Sequence, residues 1–300
     1  MATSTREVYA VEVIRAIASR HGLEGDLELM PDSGMVNEAW LMGGDYVLRI
    51  IREQEADEEA ERESLVVPLV RAAGVRSPDL IAANLERDII PRPYTIYERA
   101  KGELLGHLTD DPALFGVLYR ELGREIALIN SISLPEGETS LRDGSLFDAP
   151  EQVAKALAAQ KISEVEAKEI RQRLDDLEAD FGEKPEPALL HRDLHPWNMF
   201  ADPDTRELTA IIDWGDAAWG DPAIEFASMP LVALPNMFEG YKEAGGGVDR
   251  HLIARSVHRG IGLALWELRD LDPRRFARQW WRMSPGGWDE VWRTVDRLMA

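Results

Sequence analysis

The chain has 300 residues, 45% of them hydrophobic, enough to bury a sizeable core as one large domain or, the arrangement expected here, as two lobes around a cleft. Lys and Arg number 34 against 55 Asp and Glu, a net charge of -21; this argues against a broad nucleic-acid-binding surface and favours a cationic small partner, although acidity also serves solubility. There is no cysteine, which removes disulfides, thiolate catalysis and zinc-thiolate sites together. No cationic stretch with an apolar core opens the chain and no apolar run approaches the ~18 residues of a membrane span, so the expected location is the cytoplasm.

The apolar spacing of Val8, Val11, Ile14, Ile17 and Ala18 predicts an opening helix from Arg6 to His21, with His21-Gly22 as its stop. Strand-like stretches follow at Leu27 to Met30, Ala39 to Met42 and Tyr46 to Ile51, separated by Pro31-Asp32-Ser33-Gly34 and Gly43-Gly44-Asp45, and they predict an antiparallel meander. The run from Glu53 to Gly74 reads as a helix packed on that sheet, with Pro68 expected to kink it or shift its start. Leu80 to Ala83 and Tyr94 to Tyr97 read as further strands, and Glu98 to Gly102 breaks the pattern, which sets the lobe boundary at about residue 98. Residues 99–300 turn helical: Pro112 to Ile132, Pro150 to Ala159, Ser163 to Phe181, Ala223 to Met229, Met237 to Ala244, Asp249 to Leu271 and Trp288 to Leu298. Between the third and fourth of these, Leu189-Leu190, Met199-Phe200 and Leu208 to Ile212 are brief strands that carry loops.

Those loops hold the chemistry. His191-Arg192-Asp193-Leu194-His195-Pro196-Trp197-Asn198 fits the kinase catalytic-loop pattern H-R-D-L-x-x-x-N at every specified position. A carboxylate to orient and deprotonate a hydroxyl, and a nearby amide oxygen for a metal that shields phosphate charge, are what phosphoryl transfer requires. Fifteen residues after Asn198, Ile211-Ile212-Asp213-Trp214-Gly215 parallels the kinase D-F-G and offers Asp213 as second ligand for magnesium, which prefers hard oxygen donors. Taken singly, Asp193 and Asn198 suit turns and Asp213 a helix cap; two motifs in one context argue for chemistry. His191 and His195 lie inside the loop as supports; without cysteines or H-E-x-x-H, zinc has no recognisable ligand set.

Leu190 to Phe200 and Ile211 to Ala227 resemble the signature of the aminoglycoside phosphotransferase and choline kinase-like superfamily of small-molecule kinases. Gly220-Asp221-Pro222-Ala223-Ile224-Glu225-Phe226-Ala227 is similar to its G-D-P-x-x-D-L-A stretch, with glutamate at 225 in place of the usual aspartate. The resemblance implies an α+β, two-lobed protein-kinase-like fold, with a β-rich nucleotide lobe at 1–98 and a helical catalytic and acceptor lobe at 99–300. Only seven residues separate Asp213 from Asp221, too few for the activation loop of a protein kinase. The same resemblance places a phosphate-covering turn at Asp32 to Trp40, including Ser33 and Asn37. It gives Arg49 the role of the nucleotide-contacting cation, in a position usually held by lysine, and pairs it with Glu63, fifteen residues before Pro78. Glu98 to Ala100 becomes the hinge, its backbone groups facing a purine edge, with Ile96 and Tyr97 walling the pocket. Asp221 supports the catalytic loop. Magnesium is the implied cofactor and ATP or GTP the co-substrate; macrolide-phosphorylating members favour GTP.

The acceptor is a small-molecule hydroxyl, and the acidic surplus favours an aminoglycoside-type antibiotic. Glu239, Glu243, Glu267 and Asp270 are acidic residues on late helices that suit such an acceptor, although solvated faces account for most of them. A macrolide, or a metabolic alcohol such as homoserine, choline or a sugar, is the alternative, and the late tryptophans at 266, 280, 281, 288 and 292 suit core packing more than a binding wall. A reading of another class, a catalytically silent nucleotide-binding module, is kept open by Arg49 and by Ile129-Asn130 where the superfamily often has Leu-His. Oligomeric state leaves no trace in the sequence.

Overall fold

The computed structural model describes residues 8–30, 37–52, 57–108, 115–133, 141, 148–270 and 287–300. Helix α1 (Val11–Arg20) buries Ile14, Ile17 and Ala18, spaced at i, i+3 and i+4, and ends at His21. Strands β1 (Leu27–Met30), β2 (Asn37–Met42) and β3 (Tyr46–Ile51) form the expected meander; helix α2 (Asp57–Ala72) and strands β4 (Leu80–Asn84) and β5 (Tyr94–Glu98) complete a five-stranded antiparallel sheet ordered β1-β2-β3-β5-β4. Alternation divides its faces. Trp40, Met42, Leu48, Ile50, Tyr94 and Ile96 pack against Ile14 and Ile17 of α1, whereas Arg49, Thr95 and Tyr97 point to the side of α2. Ile96 therefore lies on the α1 face of the sheet, opposite Arg49 and Tyr97, and not on one wall with Tyr97 as expected.

Pro68 neither ends α2 nor delays it: the helix runs on to Ala72 with Pro68 on its exposed side, where the hydrogen bond that proline cannot donate is lost at the surface and not in the core. Val66, Val67 and Val70 on the opposite side join the core that extends into the helical region.

Past β5 come two elements that the sequence pattern does not announce, strand β6 (Glu103–Leu104) and helix α3 (Leu105–Leu108). Helices α4 (Gly116–Asn130), α5 (Ala149–Ala158) and α6 (Glu164–Glu178) follow; Asp148 caps α5 through the Glu151 amide at 2.8 Å, and Ser163 with Glu166 forms a capping box on α6. Strand β7 (Ala188–Leu190) pairs antiparallel with the late strand β10 (Ala218–Gly220), and β8 (Met199–Ala201) lies between β6 and β9 (Leu208–Ile211). The chain closes with α7 (Ala223–Ala227), α8 (Leu234–Glu243), α9 (Arg250–Asp270) and α10 (Trp288–Met299). Helices α4 and α8 cross at glycines: a Cβ at Gly123 would overlap the Met237 carbonyl, and one at Gly240 the Arg120 carbonyl, so only glycine allows this approach. The molecule is a mixed α+β fold, β-sheet in its N-terminal region and helical in its C-terminal part. Among the described residues no helix is long and apolar enough to cross a membrane.

Candidate active site

Three short strands and two tight turns assemble the site. β7 delivers the chain into His191 to His195, one 3-10 turn (Pro196–Asn198) leads into β8, and β9 ends at Ile211 just before Asp213. The two motif loops are tied directly: the Ile212 amide donates to the Asn198 carbonyl at 3.0 Å, and the buried His191 ring bonds the Ile212 carbonyl through Nε2 at 2.9 Å. Because His191 Nδ1 accepts the Asp193 amide at 3.3 Å, the proton on that ring is on Nε2. Trp214 covers the same ring at a centroid distance of 4.5 Å and donates its Nε1–H to Ser77 at 3.0 Å.

Asp193 presents a half-exposed carboxylate whose Oδ2 accepts from Asn198 Nδ2 at 2.9 Å and lies 3.2 Å from His195 Nε2. The His195 Nδ1 accepts the Trp197 amide at 3.1 Å, which leaves Nε2 as the donor toward Asp193. Burial pushes the Asp193 carboxyl up, but the bond from His195, the electrostatic influence of the His195 and His191 rings and the Asn198 bond outweigh it and hold the pKa at about 2. Asp193 is therefore ionised at neutral pH. Asn198 also donates to the Asp193 carbonyl at 2.9 Å; with its nitrogen so engaged, its Oδ1 is the atom available to a cation.

Arg49 on β3 joins the sheet to the loops. Its guanidinium donates to Glu63 of α2 at 2.5 Å and to Asp213 at 2.8 Å, and Glu63 also accepts from Tyr97 at 2.7 Å and Thr95 at 3.3 Å. The expected Arg49–Glu63 pair is present, and Arg52 is taken up elsewhere, by the buried Glu38 at 2.6 Å. Asp213 adopts left-handed backbone (φ 70°), as does Arg192 (φ 71°), a conformation that costs roughly 1–2 kcal/mol for a non-glycine residue.

Asn198 and Asp213 offer an amide oxygen and a carboxylate, the hard donors that magnesium takes. Surplus negative charge surrounds them: burial, then Asp213 and Asp216, push the Glu59 carboxyl up to about 7. Among the described residues no three His, Cys, Asp or Glu side chains gather as a metal cluster, so a metal here would take its other ligands from phosphate and water. The residues present fit that ion.

Of the expected hinge residues, Glu98 has its amide committed to the Asp79 carbonyl at 2.9 Å, and the Arg99 amide is bonded to Asp45 at 2.7 Å. The Ala100 amide has no partner among the described residues. Leu41 and Val47 on the sheet and Phe200 and Ile212 at the loops are half-buried and, among the described residues, join no core cluster. Ser33 lies outside the described residues, and Asn37 is described only as the opening residue of β2.

His191 and His195 bond within the loops as expected, but Asp221, the third expected support of the catalytic loop, lies elsewhere. Asp221 caps the Ala223 amide at 3.0 Å and pairs with Arg255 at 3.0 Å and Arg259 at 2.7 Å, binding α7 to α9 rather than to the loop. Glu225, fully buried, takes that place: its Oε1 accepts the His191 amide and the Arg192 amide, the latter at 3.3 Å, while Oε2 is buried without a partner among the described residues. The signal was its departure from the aspartate of the signature. Asn130, another departure, bridges the Leu189 carbonyl at 2.8 Å and the Tyr241 hydroxyl at 3.0 Å, so it anchors β7 at the entry to the loop.

Burial pushes the Glu225 carboxyl up to about 7, against the His191 and Arg192 amides and the Arg192 charge, with Asp193 adding to the rise; Tyr241 of α8 also faces it. The folded form thus binds the proton more tightly than the unfolded chain, and Glu225 lowers stability progressively as pH rises from about 4.5 to about 7, by on the order of 3 kcal/mol. Glu225→Gln keeps the accepting oxygen and removes the titration. Chemical denaturation of the two proteins across that range should give a gap that widens in favour of the glutamine form as pH rises; a constant gap contradicts the assignment.

The model of the phosphotransferase enzyme family matches residues 31–261. No curated protein matches the chain. Solved structures that resemble it include a macrolide 2'-phosphotransferase, MphH from Brachybacterium faecium, at 25% identity over 89% of this chain and 96% of that one, TM-score 0.58. A spectinomycin phosphotransferase in complex with ADP and spectinomycin is 13% identical over 97% and 100% of the two chains, TM-score 0.64. A wild-type aminoglycoside 2'-phosphotransferase-IIIa in its GDP complex is 18% identical over 96% and 98%, TM-score 0.60.

Proposed function

The chain belongs to the phosphotransferase enzyme family, and from that membership we propose that it moves the γ-phosphoryl group of ATP or GTP to a hydroxyl of a small molecule, an aminoglycoside-type antibiotic being the favoured acceptor. The observation that carries this reading is the bonded pair of loops, which sets an ionised Asp193 beside Asn198 and ties Asn198 to the strand end that bears Asp213. Residues 1–98 act as the nucleotide lobe and residues 99–300 as the catalytic and acceptor lobe.

The acceptor hydroxyl hydrogen-bonds to the Asp193 carboxylate, which aims its oxygen at the γ-phosphorus. As the new P–O bond forms, the bond from the γ-phosphorus to the β–γ bridging oxygen breaks, and the nucleoside diphosphate leaves. The hydroxyl proton passes to Asp193 late in the step, as expected for so weak a base, and from there to solvent. Asn198 and Asp213 would hold magnesium, which when bound neutralises charge on the phosphates. Arg49, steadied by Glu63, contributes a guanidinium to the phosphates. The Ala100 amide faces the purine edge and the Leu41, Val47, Phe200 and Ile212 side chains enclose its faces.

Support for an aminoglycoside comes from the net charge of -21 and from resemblance to enzymes named for such acceptors. A macrolide hydroxyl is the second reading, favoured by the 25% identity to a macrolide 2'-phosphotransferase. A transfer screen with ATP and GTP in parallel, against aminoglycosides, macrolides and metabolic alcohols, separates them. Phosphorylation of one class assigns the acceptor; nucleotide binding with no transfer to any would favour the catalytically silent module.

A further inference from the structure

The N-terminal half of α2 addresses the turn after Asp213 through three side chains spaced at i, i+3 and i+4. Glu63 reaches it through Arg49. Glu59 lies flat against Gly215, so close that a Cβ at 215 would stand 2.9 Å from the Glu59 Cβ. Gly215 has no left-handed backbone, so what reserves this position for glycine is the approach of α2. The third residue, Arg62, donates from Nε to the Gly215 carbonyl, and its Nη1 reaches Glu58 at 3.4 Å. Its charge also acts on Asp216, the last residue of the turn. One cation, Arg62, thus holds the turn at Gly215, and another, Arg49, holds the left-handed Asp213 just before it.

We propose that Arg62 is a positioning residue of the phosphoryl-transfer site: by holding the Gly215 carbonyl it keeps the turn that begins at Asp213, and hence the Asp213 carboxylate, in place beside Arg49. The role rests on the metal-binding reading of Asp213 given above, but the contact it requires exists in the nucleotide-free protein and can be measured there. Arg62 contributes no atom to substrate. A hydrogen bond from a charged donor contributes about one order of magnitude to an equilibrium, and that is the scale of the expected effects.

The test compares Arg62→Ala with Arg71→Ala, which removes an exposed cation from the same helix, one paired to Asp79. Amide exchange in the nucleotide-free protein comes first: the Ala217 amide, bonded to the Trp214 carbonyl, and the Ile212 amide, bonded to Asn198, report on the turn and its root. Arg62→Ala should lose about tenfold in protection at Ala217 with the melting temperature little changed, while Arg71→Ala loses none. Magnesium titration of nucleotide binding follows, with half-saturation about tenfold higher in Arg62→Ala and excess magnesium restoring binding. Should Arg62→Ala not fold, Gly215→Ala, which pushes α2 off the turn without straining the backbone, should give the same two changes. Unchanged exchange at Ala217 in whichever variant folds overturns the proposal. Changed exchange in a chain whose wild type binds no magnesium nucleotide sinks the functional reading instead.

Discussion

Asp193→Ala lowers the rate of phosphoryl transfer by about three to four orders of magnitude and leaves nucleotide binding intact, the loss expected when a positioned base is removed. Alanine suits the experiment because Asn198 donates to the Asp193 carbonyl as well as to its carboxylate. The backbone bond survives, and the amide that the metal would use keeps its orientation. The Asp213–Arg49–Glu63 chain of ion pairs is untouched as well. A fall in kcat with unaltered nucleotide affinity therefore isolates the carboxylate. A matching loss of nucleotide affinity would show that Asp193 shapes the phosphate site rather than the acceptor site.

Asp213→Asn produces the complementary result: nucleotide binding no longer responds to magnesium and turnover falls below detection, since a metal site that loses its one carboxylate forfeits several kcal/mol of charge stabilisation. Asparagine tolerates the left-handed backbone that residue 213 adopts (φ 70°) better than alanine does, so folding is preserved. Arg49 keeps Glu63 as its partner. Calorimetric titration of the nucleotide with and without magnesium checks this. A magnesium response as large as that of wild type would remove Asp213 from the ligand set.

Much of this arrangement was legible in the sequence because its signals are local. Leu27 to Met30 and Tyr46 to Ile51 announce strands by alternation and by the glycines between them, and both stand where expected. The pairing of Arg49 with Glu63, which the family resemblance implied, is an ion pair in the fold. What stayed hidden depends on partners distant in the chain. Strand β10 exists because Ala218 to Gly220 pairs with β7; alone, Ala-Trp-Gly carries no strand pattern. Strand β6 likewise owes its two residues to β8. Glu225 sits in an apolar helix, and no sequence rule says that its carboxylate turns toward the His191 and Arg192 amides. The family resemblance assigned Asp221 to the loop; the arginines that take it, Arg255 and Arg259, lie on α9, more than thirty residues further on, where no local signal announces them. The face of Ile96 is the exception: the same alternation that put Leu48 and Ile50 in the core with α1 carries across the ladder to Ile96, and it was readable.

The most direct measurement follows the phosphorus itself. Phosphorus NMR of the wild-type chain with magnesium, nucleotide and the acceptor found by the screen should show a new phosphate monoester appearing in step with the nucleoside diphosphate. Asp193→Ala, shown by calorimetry to bind the nucleotide, should give neither. Transfer at an undiminished rate in Asp193→Ala, or diphosphate and inorganic phosphate with no ester in the wild type, would contradict phosphoryl transfer to a hydroxyl at this site.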